Sequence, residues 1–169
     1  MKNIVLVGLM GTGKTAVAQN LAQRLGLRYV STDALIQQRE GVTINDIFSK
    51  KGEVYFREVE AHVAGEVSRY SGCVVDTGGG IVLRNENISA LQENGIIICL
   101  TADADTICVR TARCKHRPLL NVADPKKKIE ELLKSREPFY AKAAYRIDTS
   151  RLTVDEVVDN IVTLVKDGA

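Results

Sequence analysis

The feature that most constrains this chain is a glycine-rich segment near its amino end. Residues 8–15 read Gly-Leu-Met-Gly-Thr-Gly-Lys-Thr and match the pattern G-x-x-x-x-G-K-[ST] at every fixed position. An apolar, β-branched run at 3–7 precedes the segment and predicts a buried strand, whereas residues 14–25 carry apolar side chains at helical spacing. Such a loop lets backbone N–H groups surround phosphate oxygens, and the helix that follows adds the positive end of its dipole. The sequence therefore predicts a nucleotide phosphate-binding loop, or P-loop, and the strand–loop–helix context argues against a chance glycine turn.

Two side chains of this loop have chemistry of their own. Lys14 has the length to reach the β- and γ-phosphates of ATP, and the Thr15 hydroxyl can ligate Mg²⁺. The residues of this segment that are expected to contact the nucleotide are Gly11, Thr12, Gly13, Lys14, Thr15 and Ala16. ATP and Mg²⁺ are accordingly the expected cofactors.

The alternation of short apolar runs with helical segments predicts the fold. Strands are predicted at 3–7, 28–31, 73–76, 96–100 and 145–149, and helices at 14–25, 32–39, 43–48, 53–70, 86–93, 102–112, 125–144 and 153–165. Strands that alternate with helices form parallel sheets covered on both faces, so we expect an α/β fold of three layers with a five-stranded parallel sheet. Only 5% of the 169 residues are aromatic, and an aliphatic core suits such a sheet. The length predicts a single domain over 1–169.

Charge and cysteine content argue against several classes of function. The chain has 23 basic and 21 acidic side chains, a net charge of +2, so no nucleic-acid partner is expected. No apolar run approaches the length of a signal-peptide core or a membrane span, which predicts a cytoplasmic protein without a membrane partner. The four cysteines form no zinc-binding pattern and are expected to be free thiols, with Cys73 and Cys99 in the core. No interface signal is apparent, so we expect a monomer.

The P-loop alone does not define the reaction. GTPases usually carry an Asn-Lys-x-Asp sequence, which is absent here, and large ATPases need a longer chain. A small kinase is therefore favoured. A kinase acting on another small hydroxylated substrate and a non-catalytic nucleotide-binding relative are the alternatives.

The remaining motifs, taken in order, resemble those of shikimate kinases over essentially the whole chain. They are Gly8–Thr15, Thr32-Asp33, Gln38-Arg39-Glu40-Gly41, Ile44-x-x-Ile47-Phe48, Gly52-Glu53-x-x-Phe56-Arg57-x-x-Glu60, Gly78-Gly79-Gly80, Arg117-Pro118-Leu119-Leu120 and Arg136-x-Pro138-x-Tyr140. The resemblance implies transfer of the γ-phosphate of ATP to the 3-hydroxyl of shikimate, a step in chorismate and aromatic amino acid biosynthesis. It also implies a P-loop kinase core with a substrate-binding segment at about 32–60 and a lid at about 113–124.

The resemblance also assigns roles to individual residues. Asp33 matches the carboxylate that holds shikimate hydroxyls, and Arg57 and Arg136 match the arginines that bind the shikimate carboxylate. The other matching positions are a glycine turn along the substrate, a lid arginine that reaches the transferring phosphate and an arginine against the adenine: Gly78, Gly79 and Gly80, Arg117, and Arg110. Lys14, Asp33 and Arg117 are thus the implied catalytic residues.

The residue types suit these roles chemically, although Arg57 has a second interpretation. A planar guanidinium fork matches a carboxylate better than an ammonium does, and Asp33 can accept the hydrogen bond or the proton of an attacking hydroxyl. Glu53 precedes Arg57 by four residues and Glu60 follows it by three, which is the spacing of helix-surface ion pairs. A purely structural ion pair at Arg57 is therefore the alternative to substrate binding.

One position departs from the family pattern. Shikimate kinases usually carry Asp-x-Asp where this chain has Ser31-Thr32-Asp33, and the first of those carboxylates helps to hold Mg²⁺. Asp76 ends an apolar run, at a place where many P-loop proteins have a magnesium-associated carboxylate. We therefore hypothesise that Asp76 supplies the missing charge, through water. The alternative is that Asp76 caps the glycine turn and that Mg²⁺ depends on Thr15, the phosphates and water.

Overall fold

A parallel sheet forms the centre of the protein. The computed structural model describes residues 2–112, 120 and 122–167. The five strands of the sheet are β1 (Asn3–Val7), β2 (Arg28–Ser31), β3 (Cys73–Asp76), β4 (Gly95–Thr101) and β5 (Tyr145–Asp148). They lie in the order β2-β3-β1-β4-β5, and every neighbouring pair is parallel. The predicted five-stranded parallel sheet is confirmed.

Helices cover both faces of this sheet. They are α1 (Lys14–Leu25), α2 (Thr32–Glu40), α3 (Ile44–Val67), α4 (Asn85–Glu93), α5 (Ala104–Thr111), α6 (Pro125–Tyr140) and α7 (Val154–Asp167), with a 3₁₀ turn at Ile81–Leu83. Side chains of β1 alternate between two apolar clusters, as the period of a strand requires. Val5 and Val7 pack with residues of α3 to α6, whereas Ile4 and Leu6 pack with residues of α1 and α7. The fold therefore has the three layers that the sequence predicts.

The strand register brings the predicted site residues to one edge of the sheet. Asp76, the last residue of β3, is paired with Leu6 of β1 on one side and with Ser31 of β2 on the other. The P-loop follows β1, and the first turn of α2 follows β2 directly. Ligands of open α/β sheets bind outside the carboxyl ends of the strands, and this edge is that place.

The largest differences between the predicted and the observed helix boundaries are in α3 and α6. The segments predicted at 43–48 and 53–70 form one element, α3, which is interrupted at Gly52 by backbone angles of φ 82° and ψ 173°. Only glycine adopts that conformation without a steric penalty, so the helix kinks there instead of ending. Helix α6 ends at Tyr140, earlier than the predicted 144.

Part of the predicted lid lies outside the described residues. These are positions 113–119 and 121, and they include Arg117, whose predicted role therefore stays a prediction. Within the described ranges, no helix combines the length and the apolar character that crossing a membrane requires.

Candidate active site

The P-loop has a backbone that only glycine permits at its first position. Gly8 has a φ of +142°, and a Cβ added there would lie 2.2 Å from the carbonyl oxygen of Leu100. The Nζ of Lys14 donates to the carbonyl oxygens of Gly8 at 2.9 Å and Leu9 at 3.0 Å. These contacts hold the predicted phosphate-binding ammonium against the loop, beside the amino end of α1.

Behind the loop, the carboxylate of Asp76 accepts hydrogen bonds from two hydroxyl groups. The hydroxyl of Thr15 donates to Asp76 Oδ2 at 2.7 Å, and the phenol of Tyr29 donates to the same oxygen at 3.1 Å. Burial, together with the negative charge of Asp76, raises the pKa of Tyr29 to about 12, so the phenol is protonated and acts as the donor at neutral pH. The carboxylate thus directly contacts the hydroxyl that is predicted to ligate Mg²⁺.

The amide of Gly78 and the carboxylate of Asp76 have different hydrogen-bond partners in the described contacts. The amide of Gly78 donates to the hydroxyl of Thr32 at 3.1 Å, and within the described residues the hydrogen bonds to the Asp76 carboxylate come from Thr15 and Tyr29. Ser31 caps helix α2, where its hydroxyl accepts from the amide of Ala34 at 3.2 Å. The carboxylate of Asp76 therefore contacts the hydroxyl of the P-loop residue Thr15.

A small polar cavity lies between these groups. Its volume is about 50 Å³, and it is lined by Lys14, Thr15, Ser31, Asp33, Asp76, Thr77, Gly78 and Gly79. No cluster of three or more His, Cys, Asp or Glu side chains suited to a metal ion occurs in the described part of the chain. Mg²⁺ in kinase sites usually takes one or two carboxylates, substrate phosphates and water, so one hydroxyl and one nearby carboxylate fit that cation.

Two buried arginines lie on the other side of the glycine turn. Arg57 is 9% exposed, and its guanidinium donates to Glu60 at 2.7 Å and to Glu53 at 3.0 Å. Arg136 is 5% exposed and donates to the carbonyl oxygen of Gly79 at 2.9 Å. The ion pairs of Arg57 are therefore present: the pair with Glu60 is buried beside the turn, whereas the side chain of Glu53 is 54% exposed.

Charge at this cluster is balanced locally. Burial opposes the charge of Arg57, but the carboxylates of Glu60 and Glu53 outweigh that effect and raise the pKa of the guanidinium. Burial raises the pKa of Glu60, which is 1% exposed, and Arg57 opposes that shift. A Cβ added at Gly78 would lie 2.7 Å from Asp33 Oδ1 and 3.1 Å from Glu60 Oε1, so both carboxylates face this turn. The structure thus brings Asp33, two arginines and the glycine turn together next to the P-loop.

Arg110 lies beside the P-loop on the side of β5. Its guanidinium donates to the carbonyl oxygen of Gly11 at 3.3 Å and to the hydroxyl and carbonyl oxygens of Thr149 at 3.0 and 2.8 Å. The hydroxyl of Thr149 in turn donates to the carbonyl oxygen of Thr12 at 2.9 Å. Arg110 is therefore fixed at the nucleotide end of the site, and its contact with adenine stays a prediction.

Comparison with known proteins decides the family. The family model described as "Shikimate kinase" matches residues 10–166. The chain belongs to the shikimate kinase family. Shikimate kinases of Pelotomaculum thermopropionicum and Caldanaerobacter subterraneus are 44% and 46% identical to it over 167 and 162 residues. Those alignments cover 99% and 96% of this chain and 97% and 95% of the two relatives.

Solved shikimate kinases share the fold over nearly the full chain. The shikimate kinase from Acinetobacter baumannii in complex with shikimate has a TM-score of 0.95 at 38% identity. The alignment covers 99% of this chain and 94% of the Acinetobacter baumannii chain. The shikimate kinase from Aquifex aeolicus has a TM-score of 0.85 at 30% identity, with coverages of 98% and 97%. The expected P-loop kinase fold and the family resemblance are both confirmed.

Two residues beside the P-loop and the glycine turn, Tyr29 and Tyr140, received no role from the sequence, and Glu60 was expected only as a helix-surface partner of Arg57. Tyr140 belongs to a matching motif, but the motif does not say that its hydroxyl donates to the carbonyl oxygen of Gly79 at 3.0 Å. Tyr29 lies on β2, outside every motif. The sequence signal that could have pointed to Tyr29 was Asp76 at the end of a buried strand, because a buried carboxylate needs hydrogen-bond donors.

Proposed function

We propose that this chain transfers the γ-phosphate of ATP to the 3-hydroxyl of shikimate, giving shikimate 3-phosphate and ADP. The observation that carries the proposal is the convergence of Arg57, Arg136 and Asp33 on one glycine turn beside the P-loop, in a chain of the shikimate kinase family. The match to the Acinetobacter baumannii enzyme in complex with shikimate supports the choice of substrate. A kinase for another hydroxylated acid and a non-catalytic nucleotide binder are the functions to be excluded.

The two arginines bind the carboxylate of shikimate in this proposal. Arginine–carboxylate pairs make parallel, charge-assisted hydrogen bonds, which are about twice as strong as neutral ones. Glu60 and Glu53 hold the guanidinium of Arg57 before the substrate arrives, so less rotamer freedom is lost on binding. Arg136 is restrained in the same way by the carbonyl oxygen of Gly79.

Asp33 orients the attacking hydroxyl. It lies in the first turn of α2 and lines the same cavity as Lys14. It accepts the hydrogen bond of the shikimate 3-hydroxyl and takes its proton as the new bond to phosphorus forms. Phosphoryl transfer passes through a loose transition state, so placing the hydroxyl in line contributes more than base strength does.

The P-loop holds the phosphates. Backbone amides at the start of α1 and the ammonium of Lys14 surround the β- and γ-phosphates, and Arg110 lies against the adenine. Arg117, which lies outside the described residues, contacts the transferring phosphate in the role of an arginine finger. Thr15 and Asp76 hold Mg²⁺, the carboxylate through water. Mg²⁺, when bound, neutralises charge on the phosphates.

A coupled ADP-release assay tests the activity. We expect ADP release that requires ATP, Mg²⁺ and shikimate together, and a strongly reduced rate in the Asp33→Asn variant, whose amide oxygen can still accept the hydrogen bond of the hydroxyl but cannot take its proton. Turnover with other hydroxylated acids but not with shikimate favours the related kinase. ATP binding without any turnover favours the non-catalytic binder. Absence of shikimate-dependent ADP release from the folded protein rejects the proposal.

The magnesium role of Asp76 has its own test. Asp76→Asn keeps the shape of the side chain and removes its charge, so we expect the apparent Mg²⁺ requirement to rise. Adding Ser31→Asp to that variant returns a carboxylate across the strand pair and is expected to lower the requirement again. An unchanged Mg²⁺ requirement in Asp76→Asn contradicts the role.

A further inference from the structure

The Thr15–Asp76–Tyr29 chain of hydrogen bonds has a member that neither the family motifs nor the proposed function uses. We propose that Tyr29 is a positioning residue for the Mg²⁺·ATP site, because its phenol holds Asp76 in the orientation that receives the Thr15 hydroxyl. The inference rests on the proposed magnesium role of Asp76. It concerns a residue on β2 whose hydroxyl contacts neither the P-loop backbone nor the arginine cluster in the described contacts.

The two oxygens of the Asp76 carboxylate are separate hydrogen-bond acceptors. Each carboxylate oxygen has about two lone pairs for hydrogen bonding. Oδ2 accepts from Thr15 at 2.7 Å and from Tyr29 at 3.1 Å, so its capacity is used. The other oxygen is the one left to accept from a metal-bound water. Tyr29 therefore determines which oxygen of Asp76 serves the metal.

The Thr15 hydroxyl has one proton and two lone pairs. Donation of that proton to Asp76 turns the lone pairs of Thr15 away from the carboxylate, toward the cavity that both residues line. The terminal torsion of an aspartate is broad and roughly two-fold, so the carboxylate needs a second donor to keep one orientation. Tyr29 is that donor.

The pairing of β2 with β3 explains why the second donor to Asp76 comes from β2. Ser31 is paired with Asp76 across the two strands, and Tyr29 precedes Ser31 by two residues, so both project from the same face of β2. An aspartate at position 31 would put a second carboxylate beside Asp76. With serine there, β2 places no second carboxylate beside Asp76, and the phenol of Tyr29 donates to it.

The test is Tyr29→Phe, which removes one hydroxyl and keeps the ring. Isothermal titration measures ATP affinity with and without Mg²⁺, and the electron paramagnetic resonance spectrum of Mn²⁺ reports the coordination of the cation in the ATP complex. We expect Tyr29→Phe to weaken Mg²⁺-dependent ATP binding about five- to tenfold, less than the full contribution of one hydrogen bond to a charged group, because the phenol acts on the cation only through Asp76. ATP binding without the cation is expected to stay unchanged, and the Mn²⁺ spectrum is expected to broaden.

Tyr70→Phe is the matched control. Its phenol also donates to a carboxylate, that of Glu66 at 2.6 Å, but Glu66 does not line the cavity, whereas Asp76 does. We expect wild-type nucleotide binding from this variant. Thermal unfolding of both variants separates loss of folded protein from loss of affinity.

A double-mutant cycle distinguishes positioning from a structural role. If Tyr29 acts through Asp76, then Tyr29→Phe has no further effect on Mg²⁺-dependent binding in the Asp76→Asn background. Additive losses overturn the inference. The inference is also overturned if Tyr29→Phe shows wild-type Mg²⁺-dependent ATP binding while Asp76→Asn binds ATP more weakly. That result leaves the role of Asp76 intact. Wild-type behaviour of both variants overturns the role of Asp76 and this inference, whereas shikimate-dependent ADP release judges the proposed function separately.

Discussion

Gly80→Ala tests the shikimate-binding role of Arg57 without replacing a charged residue. Gly80 has φ −98° and ψ 0°, angles that alanine adopts readily, so the substitution adds no backbone strain. The new Cβ would lie 2.3 Å from Nη1, 2.5 Å from Nη2 and 2.6 Å from Cζ of Arg57. Ordinary contacts of this kind need about 3.5 Å, so the guanidinium must move by about 1 Å.

The size of the effect follows from what holds Arg57. Its other side is fixed by Glu60 at 2.7 Å and Glu53 at 3.0 Å, so the guanidinium cannot move without weakening those hydrogen bonds. It also loses the alignment that a bidentate contact with a carboxylate requires. One hydrogen bond to a charged group contributes about 1.5–3 kcal/mol, which corresponds to a roughly 10- to 150-fold rise in the KM for shikimate.

Steady-state kinetics with each substrate varied in turn measure this effect. We expect the KM for shikimate to rise as stated while the KM for ATP changes less than about twofold. Gly65→Ala is the matched control, because an added Cβ there meets no atom within 4 Å and the position is helical. That control should keep both KM values and gain about 0.5–1 kcal/mol of stability. An unchanged KM for shikimate in folded Gly80→Ala, or an equal rise in both KM values, refutes the placement of the substrate carboxylate at Arg57.

Other positions give further predictions. Thr149→Val removes the hydroxyl that joins Thr12 to Arg110, so the KM for ATP is expected to rise about fivefold in the same assay, and an unchanged value would contradict that role. Gly8→Ala combines a φ of +142° with a Cβ 2.2 Å from a carbonyl oxygen of β4, so calorimetry should show a loss of about 3 kcal/mol or more, and a wild-type melting temperature would exclude the clash. Burial raises the pKa of Cys99 from 9.0 to about 11; the unfolded thiol therefore ionises first, and urea unfolding should show stability falling from about pH 9 to about pH 11. Cys99→Ala should flatten that decline, and an equal decline in the variant would assign it to other groups.

Local signals explain how much of the fold could be predicted. The strand at 3–7, the P-loop and the helix at 14–25 depend on residues close together in the chain, and their bounds agree with the structure. The break at Gly52 shows the limit of such signals, because a glycine either ends or kinks a helix according to the packing on both sides. At Arg57 helical spacing indicated an ion pair, but only the packing of α3 against the glycine turn showed that the pair is buried.

The sequence by itself determined that this chain binds nucleotide phosphates with a P-loop, has a parallel α/β fold and carries the motifs of shikimate kinases. These features depend on residue type and short-range spacing. Only the tertiary structure decided that the hydroxyl of Thr15 and the phenol of Tyr29 meet on one oxygen of Asp76. Those three residues lie on different elements, and parallel strand pairing, which has no short-range signature, brings them together. The position of the Asp76 carboxylate beside the P-loop hydroxyl is therefore a property of the sheet register.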